Sequence, residues 1–166
     1  MGLLPCTWIF SISLQLFYNC LDFLETVKTN HLPSQLMRVV DANLNRLKEG
    51  IRVIEDIARY VHNDKTIASQ LKSLRHQCRI EPLNELLSSR DSVNDILRPT
   101  TSSEMNRTDL ESIVVANYKR AQESSRVLEE MYKIISPDLS ETFKHIRYEL
   151  YTLEKENLLD FGHKGS

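Results

Sequence analysis

The chain has 166 residues, which is the size of one ordinary domain and is enough to bury a hydrophobic core. Apolar residues make up 41% and charged residues 27%, as in a globular protein, and the net charge of −2 gives no overall field that favours nucleic acid. Three cysteines without a CxxC motif and five histidines without HxxxH spacing argue against a disulfide framework and a zinc site, so the sequence predicts a cytoplasmic protein.

The first 36 residues differ in character from the rest of the chain. Residues 3–24 are strongly apolar but lack the basic start and the small-residue cleavage site of a secretory signal. The stretch is about long enough to span a bilayer, yet Gln15, Asn19 and Asp22 interrupt it, so a membrane anchor is the less favoured interpretation. Residues 1–36 are either an accessory helix or an extension upstream of a natural start at Met37.

The clearest pattern is an internal duplication. Residues 42–56, ANLNRLKEGIRVIED, match residues 116–130, ANYKRAQESSRVLEE, at a constant offset of 74, with seven of fifteen positions identical. A second match joins LKSLRHQ at 71–77 to FKHIRYE at 143–149, at an offset of 72. Each copy is therefore predicted to be a long helix, a tight link and a second helix.

Apolar residues in both copies step by four and three positions, the spacing of a helical bundle. The predicted seam contains Val40, Leu44, Leu47, Ile51, Ile54, Ala58 and Val61, then Val114, Tyr118, Ala121, Ser125, Leu128, Tyr132 and Ile135. The sequence thus predicts an all-α domain over 37–158, in which duplicated hairpins form a four-helix bundle with helices at about 36–62, 64–79, 109–135 and 137–158. Residues 81–107 are predicted to be a connection and 159–166 a tail.

Helix caps are predicted from local motifs. Thr108 and Glu111 have the spacing of a capping box, and Ser136 precedes a proline at a first helical position. Asn63 or Asp64 is suited to cap the second helix of the first copy.

Two polar positions of the repeat fall within a largely apolar arc of the helical wheel. They are Asn43 and Arg46 in the first copy, and Asn117 and Arg120 in the second. A guanidinium group on a buried arc needs a partner. Two hypotheses stay open: these residues line a pocket for an anionic ligand between the hairpins, or each arginine pairs with a glutamate of the other copy.

The remaining repeated charges also have two interpretations. Arg52 is spaced to form pairs on the helix surface, and Lys72, Arg75, Lys144 and Arg147 form either a solvated face or further basic ligands. In the connection, Asp91 and Asp95 either cap turns or bring carboxylates to a magnesium ion. The chain contains no GxxxxGK[ST] loop, no GxGxxG motif and no protein-kinase motifs, so nucleotide chemistry would need another scaffold.

Five segments over about residues 37–158 resemble, in order and spacing, the helical domain found at the N-terminus of some bacterial, notably cyanobacterial, thiamine-phosphate synthases. They are DANLNRLKEGIRVIEDIARYVHND, LKSLRH, SRDSVND, VANYKRAQESSRVLEEMYKI and FKHIRYELYTLEKENL. The resemblance implies a hydroxymethylpyrimidine-phosphate kinase that uses ATP and magnesium. Its product would be the diphosphate that thiamine-phosphate synthase couples to the thiazole phosphate.

If the chain is such a kinase, the chemistry of the repeated residues predicts a role for each. Arg46 and Arg120 would hold phosphates, and Arg75 and Arg147 would make further phosphate contacts. Asn43 and Asn117 would orient the substrate. Magnesium would be held by Glu49, Glu123, Asp91 and Asp95. Thiamine-phosphate synthase is the expected partner, fused or separate, and a homo-oligomer is compatible with the pattern. Two alternatives remain: a non-catalytic module that docks on or dimerises the synthase, and a sensor of a thiamine-pathway ligand.

Overall fold

A computed structural model describes residues 34–80, 83–94, 107 and 109–164, and within these ranges the chain contains helices and no strands. The five helices are α1 Ser34–Tyr60, α2 Lys65–Gln77, α3 Leu83–Ser89, α4 Leu110–Tyr132 and α5 Pro137–Lys164. The all-α prediction is confirmed. The short α3 in the connection was not predicted.

The two long helices of the repeat lie at the centre of the bundle. The most extensive pairings are those of α1 with α4, of α4 with α5 and of α1 with α2, and α3 packs on α1. By contrast, α2 and α5 share only a small contact. Each hairpin therefore joins the other mainly through its first helix.

The predicted seam forms the hydrophobic core. Its first-copy residues from Val40 to Ala58 are buried, as are the second-copy residues from Val114 to Tyr132. Ser125, a polar member of the seam, donates its hydroxyl to the Phe143 carbonyl oxygen at 2.7 Å. The last seam residue of each copy is the exception. Ile135 is only partly buried, and Val61 is exposed because α1 ends at Tyr60 and the chain then leaves the helical path.

The helix caps in the structure agree with those predicted from the sequence, with one correction. Asp64 caps α2 by accepting a hydrogen bond from the Ile67 amide, and Ser136 accepts one from the Leu139 amide. The cap of α4 is Asp109, whose carboxylate accepts from the Ser112 amide at 2.7 Å. The capping box predicted at Thr108 is therefore displaced by one residue; Thr108 itself lies outside the described residues.

The ends of the domain differ slightly from the prediction. Helix α1 begins at Ser34, three residues before Met37, and α5 continues to Lys164 through most of the predicted tail. Residues 1–33, and with them the apolar stretch, lie outside the described residues. Among the described helices, none combines the length and apolar character needed to cross a membrane.

A glycine allows α1 and α4 to approach closely. A Cβ atom on Gly50 would lie 3.0 Å from the Asn117 carbonyl oxygen and 3.4 Å from the Ala121 Cβ atom. The equivalent position in the second copy is Ser124, another small residue, and it is buried. Small side chains at this crossing therefore set the distance between the two helices that carry the repeated motif.

Replacing Gly50 by leucine should lower the free energy of unfolding by about 1–3 kcal/mol, because an enlarged side chain has no space against the α4 backbone. Denaturant unfolding measures this difference. The control is Ser73→Leu on the exposed face of α2, which should change stability by less than about 0.5 kcal/mol. Equal stabilities for both variants would contradict the close crossing.

Candidate functional site

The ANxxRxxE motifs of the two copies meet at one surface cleft, which we call the crossing cleft. It has a volume of about 740 Å³ and lies where α1 and α4 cross. Its lining residues are Asn43, Arg46, Glu49, Arg107, Ala116, Lys119, Arg120, Glu123, Ser124 and Val127. The crossing therefore brings together residues that are 74 positions apart in the chain.

The crossing cleft carries an excess of positive charge. Four of its residues are cationic and two are acidic, which gives a formal charge of +2. Lys119 already forms an ion pair within the protein, since its Nζ atom lies 3.0 Å from Glu154 Oε2. Within the described part of the chain, Arg46, Arg107 and Arg120 form no ion pair or side-chain hydrogen bond. Guanidinium groups that meet at one cleft without an ion pair in the described residues suit a ligand with several anionic oxygens.

The helical-wheel expectation that Arg46 and Arg120 lie on a buried arc is wrong. Both arginines are exposed, and Val53 on the same flank of α1 is 37% exposed. The reason is that no helix among the described residues covers this flank, which forms a cleft instead. In those residues, neither arginine pairs with a glutamate of the other copy, so the structure offers no support for the network hypothesis.

The two repeated asparagines make the same contact in each copy. Asn43 donates its side-chain N–H to the Val39 carbonyl oxygen, and Asn117 donates to that of Ile113, both at 2.8 Å. Both residues are buried. The contact orients each amide and leaves its oxygen as an acceptor. Asn43 lines the crossing cleft, whereas Asn117 is not one of its lining residues.

A second cleft, which we call the linker cleft, continues from the first along α1. It has a volume of about 820 Å³ and shares Asn43, Arg46 and Glu49 with the crossing cleft. Its other lining residues are Gln35, Arg38, Val39, Asp41, Ala42, Asn45, Arg90, Asp91, Ser92 and Asn94. The two clefts therefore form one elongated site with Arg46 in its central part.

The segment after α3 is held on α1 by ion pairs. Arg90 donates through Nε and Nη2 to the two carboxylate oxygens of Asp41, at 2.7 and 2.6 Å. The Asp41 side chain is buried, so this forked pair is a strong anchor. Arg38 donates to the Asp91 carbonyl oxygen at 2.9 Å and lies 3.5 Å from its carboxylate. These contacts form the outer wall of the linker cleft.

The structure distributes three of the predicted magnesium ligands over the two clefts: Glu49 lines both, Glu123 the crossing cleft and Asp91 the linker cleft. Asp91 also caps a turn by accepting hydrogen bonds from the Val93 and Asn94 amides. Hydrogen bonds from the Asn94 side chain and backbone are the main causes that lower the pKa of Asp91. Asp95 lies outside the described residues. In the part of the chain that is described, no three His, Cys, Asp or Glu side chains cluster as a metal site.

Arg75 and Arg147 lie in a repeated structural network rather than at a cleft. Arg75 donates to the buried carboxylate of Glu55 at 2.8 Å, and Arg52 lies 3.3 Å from the same carboxylate. Glu55 is nine residues after Arg46, which places it about 180° around the helix. The hydrogen bond to Glu55 raises the pKa of Arg75. This network therefore lies on the opposite face of α1 from the cleft.

The second copy repeats the network. The buried carboxylate of Glu129 lies 2.8 Å from Arg147 Nη2 and 2.7 Å from Arg126 Nη1. The Arg147 guanidinium also lies 4.9 Å from the ring centre of Tyr148 and 5.9 Å from that of Tyr151. The structure thus brings neither Arg75 nor Arg147 to the site predicted for them, because each binds a glutamate of its own hairpin.

The sequence analysis did not predict the ion pairs that link different helices. Glu55 and Arg75 recur as Glu129 and Arg147, so the repeated acid and base together were a usable signal. The Asp41–Arg90 pair had no such signal, because the position equivalent to Asp41 is Val115. The contribution of Arg107 to the crossing cleft was also missed.

Comparison with known proteins finds relatives that are thiamine-phosphate synthases. The chain is similar to thiamine-phosphate synthases of Nostoc punctiforme, with 38% identity over 128 residues, and of Synechocystis sp., with 36% identity over 123 residues. These matches cover 76% and 74% of this chain but only 36% of each relative. The synthase of Rhodopirellula baltica is 34% identical over 133 residues, which are 77% of this chain and 36% of that protein.

The chain therefore spans about a third of the length of the curated relatives it matches. No solved structure matches it. The names of the relatives support the predicted association with thiamine biosynthesis. Residues 38–156, which include both copies of the hairpin, match the sequence profile of the ThiD2 family. On the strength of that match, the chain belongs to the ThiD2 family.

Proposed function

We propose that this protein transfers the γ-phosphoryl group of ATP to the phosphate of hydroxymethylpyrimidine phosphate in thiamine biosynthesis. The observation that carries the proposal is the meeting of Arg46, Arg107 and Arg120 at one cleft, without ion pairs within the described residues. The ThiD2 family match and the thiamine-phosphate synthase relatives support the pathway. The kinase activity itself is what the resemblance implies.

The reaction requires little acid–base chemistry from the protein. An oxygen of the acceptor phosphate attacks the γ-phosphorus of ATP, the bond from that phosphorus to the β–γ bridging oxygen breaks, and ADP leaves with the electron pair. A phosphate monoester has a second pKa near 6, so its oxygen is largely ionised at neutral pH without a protein base. The task of the site is to hold two anions in line and to offset their repulsion.

The cleft residues suit that task. Arg46 and Arg120 present planar forks of N–H donors that match phosphate oxygens, and Arg107 adds a third cation. The Asn43 amide, oriented by its bond to Val39, would position the substrate. Glu49 and Glu123 fit a magnesium ion, which prefers one or two carboxylates together with substrate phosphates and would neutralise phosphate charge.

A coupled ADP-release assay tests the proposal. With ATP, magnesium and hydroxymethylpyrimidine phosphate, we expect ADP release and the appearance of the pyrimidine diphosphate in phosphorus NMR spectra. The control uses unphosphorylated hydroxymethylpyrimidine, which lacks the acceptor oxygen for this reaction. A folded protein that releases no ADP would overturn the proposal. If that protein also bound a thiamine-phosphate synthase, the docking alternative would take its place.

A further inference from the structure

We propose that the two clefts divide the substrates between them. The crossing cleft takes the polyphosphate of the nucleotide, the linker cleft takes the aminopyrimidine ring of the acceptor, and Arg46 lies where the reacting phosphates meet. This inference rests on the proposed kinase function, and it adds which half of the elongated site recognises which substrate. Two observations support this inference: the clefts share part of their lining, and the two copies differ in sequence at positions that line them.

Part of the lining of one cleft is related to part of the other by the duplication. Ala42, Arg46 and Glu49 line the linker cleft, and their counterparts 74 residues later, Ala116, Arg120 and Glu123, line the crossing cleft. Because Arg46 belongs to both linings, a ligand in either half can reach it. A transfer reaction needs this arrangement, since donor and acceptor must enter separately and meet at one point.

The linker cleft has balanced charge and many neutral polar groups. Its ion pairs Arg90–Asp41 and Arg38–Asp91 neutralise four of its charged residues, and Arg46 and Glu49 balance each other in number. The neutral polar side chains of its lining are Gln35, Asn43, Asn45, Ser92 and Asn94. The side-chain N–H groups of the three asparagines donate within the protein, so their amide oxygens are left as acceptors. Such acceptors suit the amino group of an uncharged heterocycle.

The crossing cleft differs at one equivalent position above all. Where the first copy has Asn45, the second copy has Lys119, and this lysine together with Arg107 gives the lining its charge of +2. Its cations come from both copies and from Arg107, three residues before α4 begins, so groups distant in the chain meet at one cleft. A polyphosphate carries more negative charge than a monoester and would be attracted preferentially to this half.

Exchanging these equivalent residues tests the division directly. Lys119→Asn gives the second copy the residue of the first, and we expect it to raise the KM for ATP about fivefold while leaving the KM for hydroxymethylpyrimidine phosphate unchanged. Asn45→Ala removes an amide from the linker cleft and should raise the KM for the pyrimidine about threefold to tenfold, with that for ATP unchanged.

Glu154→Gln is the matched control for Lys119. It breaks the same ion pair but keeps the lysine charge, so the KM for ATP should stay the same or fall. If Glu154→Gln raises that KM as much as Lys119→Asn, the lysine acts only through its ion pair and the inference fails. Thermal unfolding verifies that each variant is folded, and Lys119→Gln, which keeps a longer side chain, provides a second neutral substitution.

A binding measurement separates this inference from the kinase proposal. Calorimetry with inorganic tripolyphosphate should show weaker binding to the Lys119→Asn variant and unchanged binding to Asn45→Ala. If ADP is released but both variants alter both KM values equally, the division is wrong and the kinase stands. If no ADP is released but tripolyphosphate binding depends on Lys119 and not on Asn45, the charged half is supported and the kinase is wrong.

Discussion

Replacing Arg46 or Arg120 by lysine is expected to lower kcat/KM for phosphoryl transfer by about tenfold to a hundredfold, or about 1.4–2.8 kcal/mol of transition-state stabilisation. Lysine keeps the charge but loses the planar fork that donates two parallel hydrogen bonds to phosphate. Both arginines are exposed and, in the described residues, bind no other side chain, so the fold should be unaffected. Steady-state kinetics and a melting curve measure the two effects.

Arg79→Lys is the matched control for these variants. Arg79 is exposed after the end of α2 and does not line either cleft. Its replacement should change neither kcat nor KM. Full activity in both Arg46→Lys and Arg120→Lys would show that the cleft arginines do not contact the reacting phosphates. A loss of activity accompanied by an equal loss of thermal stability would assign them a structural role instead.

Replacing Glu129 by alanine should lower the free energy of unfolding by about 3 kcal/mol. The Glu129 side chain is 5% exposed, and its carboxylate receives hydrogen bonds from Arg126 and Arg147. Without it, the largely buried Arg147 loses its hydrogen-bonded carboxylate, while its guanidinium stays in a poorly hydrated site beside two tyrosine rings. Denaturant unfolding at neutral pH provides the measurement.

The neighbouring Glu130 offers a control for the loss of a carboxylate from the same turn. Glu130 pairs with Arg126 and Lys133, but its side chain is 40% exposed, so water can solvate its partners when it is removed. Glu130→Ala should therefore remain close to the wild type in stability. Equal effects of the two substitutions would show that the Glu129 network contributes no more than a surface ion pair.

The repeat and the core could be derived from the sequence. Helical periodicity determines which residues share a face, and this was enough to identify the seam from Val40 to Ala58 and its counterpart from Val114 to Tyr132. Apart from the end of α5, which lies six residues beyond the prediction, helix ends were predicted to within three residues, because caps such as Asp64 act on backbone groups only three positions away. These features depend on local contacts, and the spacing of the residues along the chain determines which local contacts can form.

The site depended on contacts that spacing does not specify. A helical wheel placed Arg46 and Arg120 among apolar neighbours, but only the packing of α1 on α4 decided that this flank would be an open cleft. Arg75 and Arg147 were predicted to bind phosphate, and only the pairing of helices within each hairpin assigned them to buried glutamates. The sequence by itself therefore determined the helices, their buried faces and the duplication. Among the described residues, the tertiary structure decided which charged groups pair with one another and which line a cleft, because that choice depends on residues distant in the chain that meet only after the helices pack.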